Sequence, residues 1–218
     1  MTGLRGTGRL ADDLYLLAHH ETTGKPRLQP RAAGLGLAGA LLAELMLAGR
    51  IRCWRGLIIP AGDGAAVDGP DVDDLAGRLL GLVASESEHR PGRDWLLYLA
   101  PTATGEVAAR LAQAGYLRPA PGRRFGHGAR PVPADPDSAF APLVRVKSAL
   151  RSPGRDAQHT ALAALAAAIG LSHHLAAYLP PHADRRLAEA AGHLSPGLRQ
   201  LITQAQAAVD SALLAHRV

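Results

Sequence analysis

Apolar residues recur early in the chain at Leu10, Ala11, Leu14, Leu17 and Ala18, the three- and four-residue spacing of one helical face. Asp12 and Asp13 stand near the start of that stretch, where ionised carboxylates complement the helix dipole. A second helix is predicted from Pro30, a residue suited to a first turn, to Ala48, with Gly49 as its stop. Leucines surround this stretch on every side, so it is expected at the centre of the molecule.

The pattern then shortens. Ile51 to Trp54 and Leu57 to Ile59 read as short strands of a hairpin, and Asp63-Gly64 suits a tight turn. Asp71, Asp73 and Asp74 open a third helix that continues through Leu75, Leu79, Leu82 and Val83, and their expected role is capping. A short Trp95–Leu99 segment leads to a helix over Val107–Ala114 that ends at Gly115. Two helix ends, Leu47 to Arg52 and Gln113 to Arg118, enter extended stretches in the same way, a weak repeat of a helix-then-hairpin unit. Pro119 to Asp137 is rich in Pro, Gly and Arg and reads as an exposed loop or a β-hairpin. The last third is helical: an amphipathic face at Leu143, Val146 and Leu150, an apolar central helix over His159–Leu179, a short helix over Ala183–Ala191, and a long final one from Leu198 to Leu213. The predicted fold class is mainly α, a single domain over residues 1–218 in which amphipathic helices surround a central hydrophobic helix, with short β-hairpins at the edge.

Composition sharpens this picture. Only two Phe, two Trp and four Tyr occur, so the core must be built from aliphatic and small side chains, which favours packed helices. Of 24 basic residues only Lys25 and Lys147 are lysines, and arginine's planar fork suits contacts to phosphate or carboxylate. The net charge of +5 is unevenly spread: residues 1–60, 61–100, 101–159 and 160–218 carry +4, −5, +5 and +1, so two basic stretches flank an acidic one. If these meet on one face, that face attracts anions. Cys53 stands alone and forms no internal disulfide. Met1 to Arg9 has no apolar run of a secretory signal, and the apolar stretch Ala161–Leu171 falls short of the ~20 residues that span a bilayer. A cytoplasmic protein is expected.

Catalytic constellations are sparse. Gly34-Leu-Gly-Leu-Ala-Gly39 has the dinucleotide-binding spacing, yet Pro26 to Ala33 before it contains Arg27, Gln29, Pro30 and Arg31, not the buried strand that motif needs; close helix packing is the expected role. Glu44 is the one carboxylate inside the apolar second helix and is read as half of a structural ion pair with an arginine such as Arg50. His19-His20 and His173-His174 are adjacent pairs, and neighbours on a helix diverge too far to hold one ion. No enzyme activity, metal or cofactor is expected.

The blocks Leu10-Ala-Asp-Asp-Leu-Tyr-Leu-Leu-Ala18 and Gly34-Leu-Gly-Leu-Ala-Gly-Ala-Leu-Leu-Ala-Glu-Leu-Met-Leu-Ala-Gly-Arg-Ile51 resemble the Golgi phosphoprotein 3 family in its bacterial form. Weaker agreement continues through Arg110-Leu-Ala112, Gly115-Tyr-Leu117, Val144–Leu150 and Ala161–Leu171. The resemblance implies a single helical domain with edge hairpins. Eukaryotic members bind phosphatidylinositol 4-phosphate on Golgi membranes and gather glycosyltransferases there. Their headgroup pocket uses a tryptophan, an arginine in the following helix, and two arginines on a later helix; the corresponding positions here are Gln29, Ala38, Gly105 and Ala108. The resemblance therefore implies a phosphoinositide-like or general anionic phospholipid as partner, at the inner face of the membrane, without the pocket side chains.

The candidate lipid- or anion-binding residues are Arg27 and Arg31 of the first loop, with Arg118, Arg123, Arg124, Phe125 and Arg130 of the Pro119–Pro131 segment, which corresponds to the family's membrane-dipping hairpin. Membrane-associated protein clients and a homo-oligomer stand as further partners. The alternative reading is a winged-helix-like nucleic-acid binder, suggested by the helix-then-hairpin units and the pI near 10.0. It is disfavoured because Ala32–Ala48 and Val107–Ala114 offer a groove only Arg110.

Overall fold

A computed structural model of the chain describes residues 7–62, 73–86, 88–120 and 130–215. The elements in order are α1 (Leu10–Leu17), α2 (Pro30–Leu47), β1 (Ile51–Trp54), β2 (Leu57–Pro60), α3 (Asp74–Ser85), α4 (Gly92–Gln113), β3 (Leu117–Pro119), β4 (Pro131–Pro133), α5 (Pro136–Arg151), α6 (Ala157–Ala168), α7 (Ser172–Leu175), α8 (Ala183–Ala191) and α9 (Pro196–Leu214). The protein is thus mainly α, and among the described residues there are two antiparallel strand pairs, β1 with β2 and β3 with β4, each following a long helix. The helix-then-hairpin repeat seen in the sequence is real.

Helix α2 is apolar all round because it is covered all round, by α1, α4, α6 and α9. It is long and apolar enough to cross a bilayer by length and composition, but 72% of it is buried inside the protein. Its glycines explain how four neighbours fit. A Cβ on Gly34 would run into the carbonyl of Ala100 in α4, and one on Gly36 would lie 2.7 Å from Ile169 Cδ1. The glycine-rich run is therefore a packing surface inside a helix. Gly34→Ala, which gains helix propensity at an exposed site, should here force α2 and α4 apart and cost about 1–3 kcal/mol, read as a lower urea midpoint; an unchanged or raised midpoint would contradict the packing account.

Three helices stop in the same way. Gly49, Gly115 and Gly170 adopt φ of +68°, +80° and +82°. In each, the glycine N–H donates three residues back and the following N–H five residues back, as in Gly170 to Ala167 and Leu171 to Ala166. This is the Schellman arrangement, which satisfies the last carbonyls of a helix. Gly170 corrects the expected helix His159–Leu179: α6 ends at Ala168, a turn follows, and α7 is a single turn. The expected burial survives in α6, where Ala161, Leu162 and Leu165 are inaccessible to solvent, and α6 and α2 pack together at the centre.

A second correction concerns α4. The expected Trp95–Leu99 segment and the Val107–Ala114 helix form one continuous 22-residue helix with Pro101 inside it. Proline is tolerated there because Pro101 is on the solvent side, while Leu96, Leu99 and Ala103 are buried in the core. Asp73 caps α3 by accepting from the Ala76 N–H at 2.8 Å, as expected, with Asp74 in the first turn. Asp71 and Asp63-Gly64 lie outside the described residues.

Candidate functional site

The connection between α1 and α2 folds back on itself. His20 N–H donates to Lys25 O, Gly24 N–H to His20 O, and Arg27 N–H to Ala18 O, all within 2.8–2.9 Å, and His19 bridges Pro26. The tip of this loop, Gly24 at φ +61°, is pressed against the carbonyl of Pro131 in β4, an approach a Cβ would forbid. The first loop and the start of β4 are thereby held together.

His19 is the hub. It is 8% exposed, its ring stacks on Tyr15 at 4.0 Å, and Nδ1 donates to the Tyr15 carbonyl at 2.7 Å. Burial pushes its pKa below the ordinary value, and the nearby charges of Arg130 and Arg27 push the same way, against the bond to Tyr15. The imidazole is neutral at pH 7. Arg27 and Arg130 therefore flank one neutral side chain. Arg27 is held by Glu21 at 2.6 Å and by the His19 carbonyl at 3.3 Å, so part of its charge is spent internally. Arg130 is exposed.

Arg31 is exposed in the first turn of α2 and sits on a cleft of about 610 Å³ between α2 and α4, with Leu28, Pro30, Leu35, Leu97 and Pro101 among its walls. His19 lines the same cleft, and among the described residues Arg31 is the one arginine or lysine in its lining. Arg118 is exposed on β3, opposite Val132. Arg123, Arg124 and Phe125 lie outside the described residues. Of the positions corresponding to the eukaryotic pocket, Gln29 and Gly105 are exposed beside this cleft, Ala108 is half-buried and Ala38 is fully buried.

Sequence reasoning missed a second constellation, a charge cluster buried among α1, α2, α4 and the start of α3. Arg110 of α4 donates through Nε to Asp12 Oδ1 at 2.8 Å, through both terminal nitrogens to Glu44 at 3.2 Å, and to Asp73 Oδ2 at 3.1 Å. Glu44 also accepts the Ala11 N–H at 2.7 Å, and Arg9 reaches Asp73 at 3.3 Å. Next to it, Arg145 of α5 pairs with Asp13, which is fully buried and whose Oδ1 has no hydrogen-bond partner among the described residues. Glu44 is half of an ion pair as expected, and it pairs with Arg110, 66 residues away. Asp12 and Asp13 do more than favour a helix dipole: they tie α1 to α4 and α5.

Burial raises the pKa of Asp12, Asp13 and Glu44, and their arginines only partly reverse it. Burial also works on Asp73, but there the Ala76 N–H and Arg110 outweigh it and the pKa falls. Arg110 is raised despite its own burial, by Glu44 and Asp12, and stays charged. Asp13 is pushed up to about 6. A carboxylate whose folded pKa exceeds its unfolded value binds its proton more tightly when folded, so its contribution to stability is present below the unfolded value of 3.8 and is lost as pH rises to about 6. Asp13→Asn should therefore be more stable than the parent at pH 7.5, by on the order of 2–3 kcal/mol, with the difference shrinking toward pH 4. Urea midpoints of both proteins across that range check this; a difference that does not vary with pH would contradict it.

The sequence profile of the Golgi phosphoprotein 3 (GPP34) family matches residues 10–211. The chain belongs to the Golgi phosphoprotein 3 family. No curated protein matches the sequence. The family match runs from the first residue of α1 into the last turns of α9, so it takes in the first loop, both hairpins, the Arg31 cleft and the Arg110 cluster.

Proposed function

We propose that the protein is a peripheral membrane protein that binds anionic phospholipid reversibly, at the inner face of the membrane and from the cytoplasm, without catalysing a reaction. The observation that carries this reading is Arg31 on an apolar cleft that neutral His19 also lines, with Arg27 and Arg130 close enough to act on the same imidazole. An apolar cleft with one arginine at its rim fits an amphipathic anion: phosphate at the guanidinium, glycerol and ester groups against Leu28, Leu35 and Leu97. Membership of the Golgi phosphoprotein 3 family is in keeping with it.

Each arginine near an anionic surface contributes about 1 kcal/mol, so Arg31, Arg118 and Arg130 together give useful but salt-sensitive attachment, with Arg27 contributing less because Glu21 already pairs with it. With Gln29, Ala38, Gly105 and Ala108 at the eukaryotic pocket positions, the expected preference is for negative charge in general over phosphatidylinositol 4-phosphate. Sedimentation with phosphatidylglycerol vesicles, comparing the parent with an Arg31→Glu, Arg130→Glu variant, tests the site. The variant should bind about tenfold less or weaker still. Equal binding would remove these residues from it.

The nucleic-acid reading has less support. A groove-reading helix needs an exposed polar face, whereas α2 is enclosed and Arg110 of α4 is consumed by three carboxylates.

A further inference from the structure

The two tryptophans of the protein have opposite surroundings. Trp95 is 3% exposed in the core, while Trp54, at the end of β1, is 58% exposed. Along β1 burial alternates, so Arg52 and Trp54 share the outward face and Ile51 and Cys53 the inward one. The turn that follows has φ of +50° at Arg55 and +85° at Gly56, the two central positions of a tight hairpin. Arginine occupies a left-handed position that Gly or Asn would fill at lower cost. Its guanidinium stands 5.7 Å from the Trp54 ring centroid. The tip of the hairpin is thus an aromatic ring with an arginine stacked on it and another two residues before it.

This tip is fastened to the beginning of α4. Gly92 N–H donates to the Gly56 carbonyl at 2.8 Å, Ile58 N–H to the Arg90 carbonyl at 3.0 Å, and Leu57 bridges Pro91. From there Arg93, Leu97 and Pro101 follow at four-residue spacing, all exposed, so they form one stripe along α4. Asp94 and Tyr98, also exposed, lie about 100° further round the helix. The stripe ends in the Arg31 cleft, which Leu97 and Pro101 line. At ~1.5 Å per residue, Gly92 and Pro101 are only about 14 Å apart.

We propose that the membrane-contacting surface extends from the Arg31 cleft along this face of α4 to the β1–β2 turn, where Trp54 enters the headgroup layer of an anionic bilayer between Arg52 and Arg55. This rests on the membrane reading above. A bilayer is the occupant because the surface combines an indole, whose apolar body and N–H suit the lipid–water interface, with arginines that meet lipid phosphates. It is also continuous with the arginine-rimmed cleft.

The test uses the protein's own fluorescence. Trp95→Phe leaves Trp54 as the sole indole. Should that variant fold poorly, the parent serves, with Trp54→Phe giving the signal of Trp95 alone. Each is mixed with phosphatidylglycerol vesicles whose acyl chains are brominated, and pelleting is measured in parallel. The expected result is a blue shift and quenching of Trp54 on anionic vesicles, both reversed by salt, and a severalfold loss of pelleting in Trp54→Ala. Pelleting with unquenched Trp54 would overturn the proposal while sparing the membrane reading, and would leave Trp54 to a protein partner. No pelleting at low salt would overturn both.

Discussion

Replacing Arg110 by methionine should destabilise the protein by about 3–5 kcal/mol, a large part of the 5–15 kcal/mol that holds a typical domain together. Arg110 is 11% exposed and faces Asp12 and Glu44, themselves 3% and 13% exposed, and Asp73. Methionine would fill the space but leave Asp12 and Glu44 in the interior without the guanidinium they share. The cost comes from those stranded charges, because forming such a pair from water yields little net stability. Adding Asp12→Asn and Glu44→Gln to Arg110→Met should accordingly restore much of the loss. Urea unfolding of the single and triple variants checks both statements. A single variant that loses less than about 1 kcal/mol, or a triple variant less stable than the single one, would contradict the account.

Leu165→Asp should abolish folding. Leu165 is inaccessible to solvent in α6, packs against the open side of Gly39 in α2, and belongs to the interface of the two central helices. Its surroundings are the apolar core, so a carboxylate there would be buried bare, at a cost beyond the 4–5 kcal/mol of the most damaging single substitutions. Leu165→Ala, which leaves a cavity without a charge, should cost about 2–5 kcal/mol and still fold. A far-UV circular dichroism spectrum of Leu165→Asp that keeps the parent's helical signal would show that α6 is not central.

These two variants mark where the sequence was readable and where it was not. Burial of α2 and α6 could be read from apolar residues that recur on all sides, since a helix with no polar face must be enclosed. Gly49 and Gly115 announced helix ends because polarity and extended patterning change right after them. Gly170 did not, for Ile169 and Leu171 on either side continue the apolar run. The separate Trp95–Leu99 segment and Val107–Ala114 helix erred in the opposite direction, dividing a helix that packing against α2 keeps whole. The Arg110 cluster joins residues tens of positions apart, which no local spacing reveals. A hint was available nonetheless: Glu44 in Ala32–Ala48 and Arg110 in Val107–Ala114 are each lone charges in otherwise apolar helical stretches, and charges in such places need partners. For the candidate surface, the first loop and the Pro131 strand do meet at Gly24, and Arg27 and Arg130 gather at His19. The cleft beside Arg31 was not legible, because it is made by the crossing of α2 and α4, and neither was the exposure of Trp54, because only β1's register decides which face it takes.

Reversible attachment to anionic lipid is read most simply by sedimenting the unaltered protein with vesicles across a salt series. Phosphatidylcholine alone, phosphatidylcholine with phosphatidylglycerol, and phosphatidylcholine with phosphatidylinositol 4-phosphate at matched charge are compared. The protein should bind both anionic compositions at low salt, to similar extents, with binding declining steeply as salt is raised, and should not bind phosphatidylcholine alone. Absence of binding to either anionic composition at low salt, or equal binding to neutral vesicles at all salt concentrations, would contradict it.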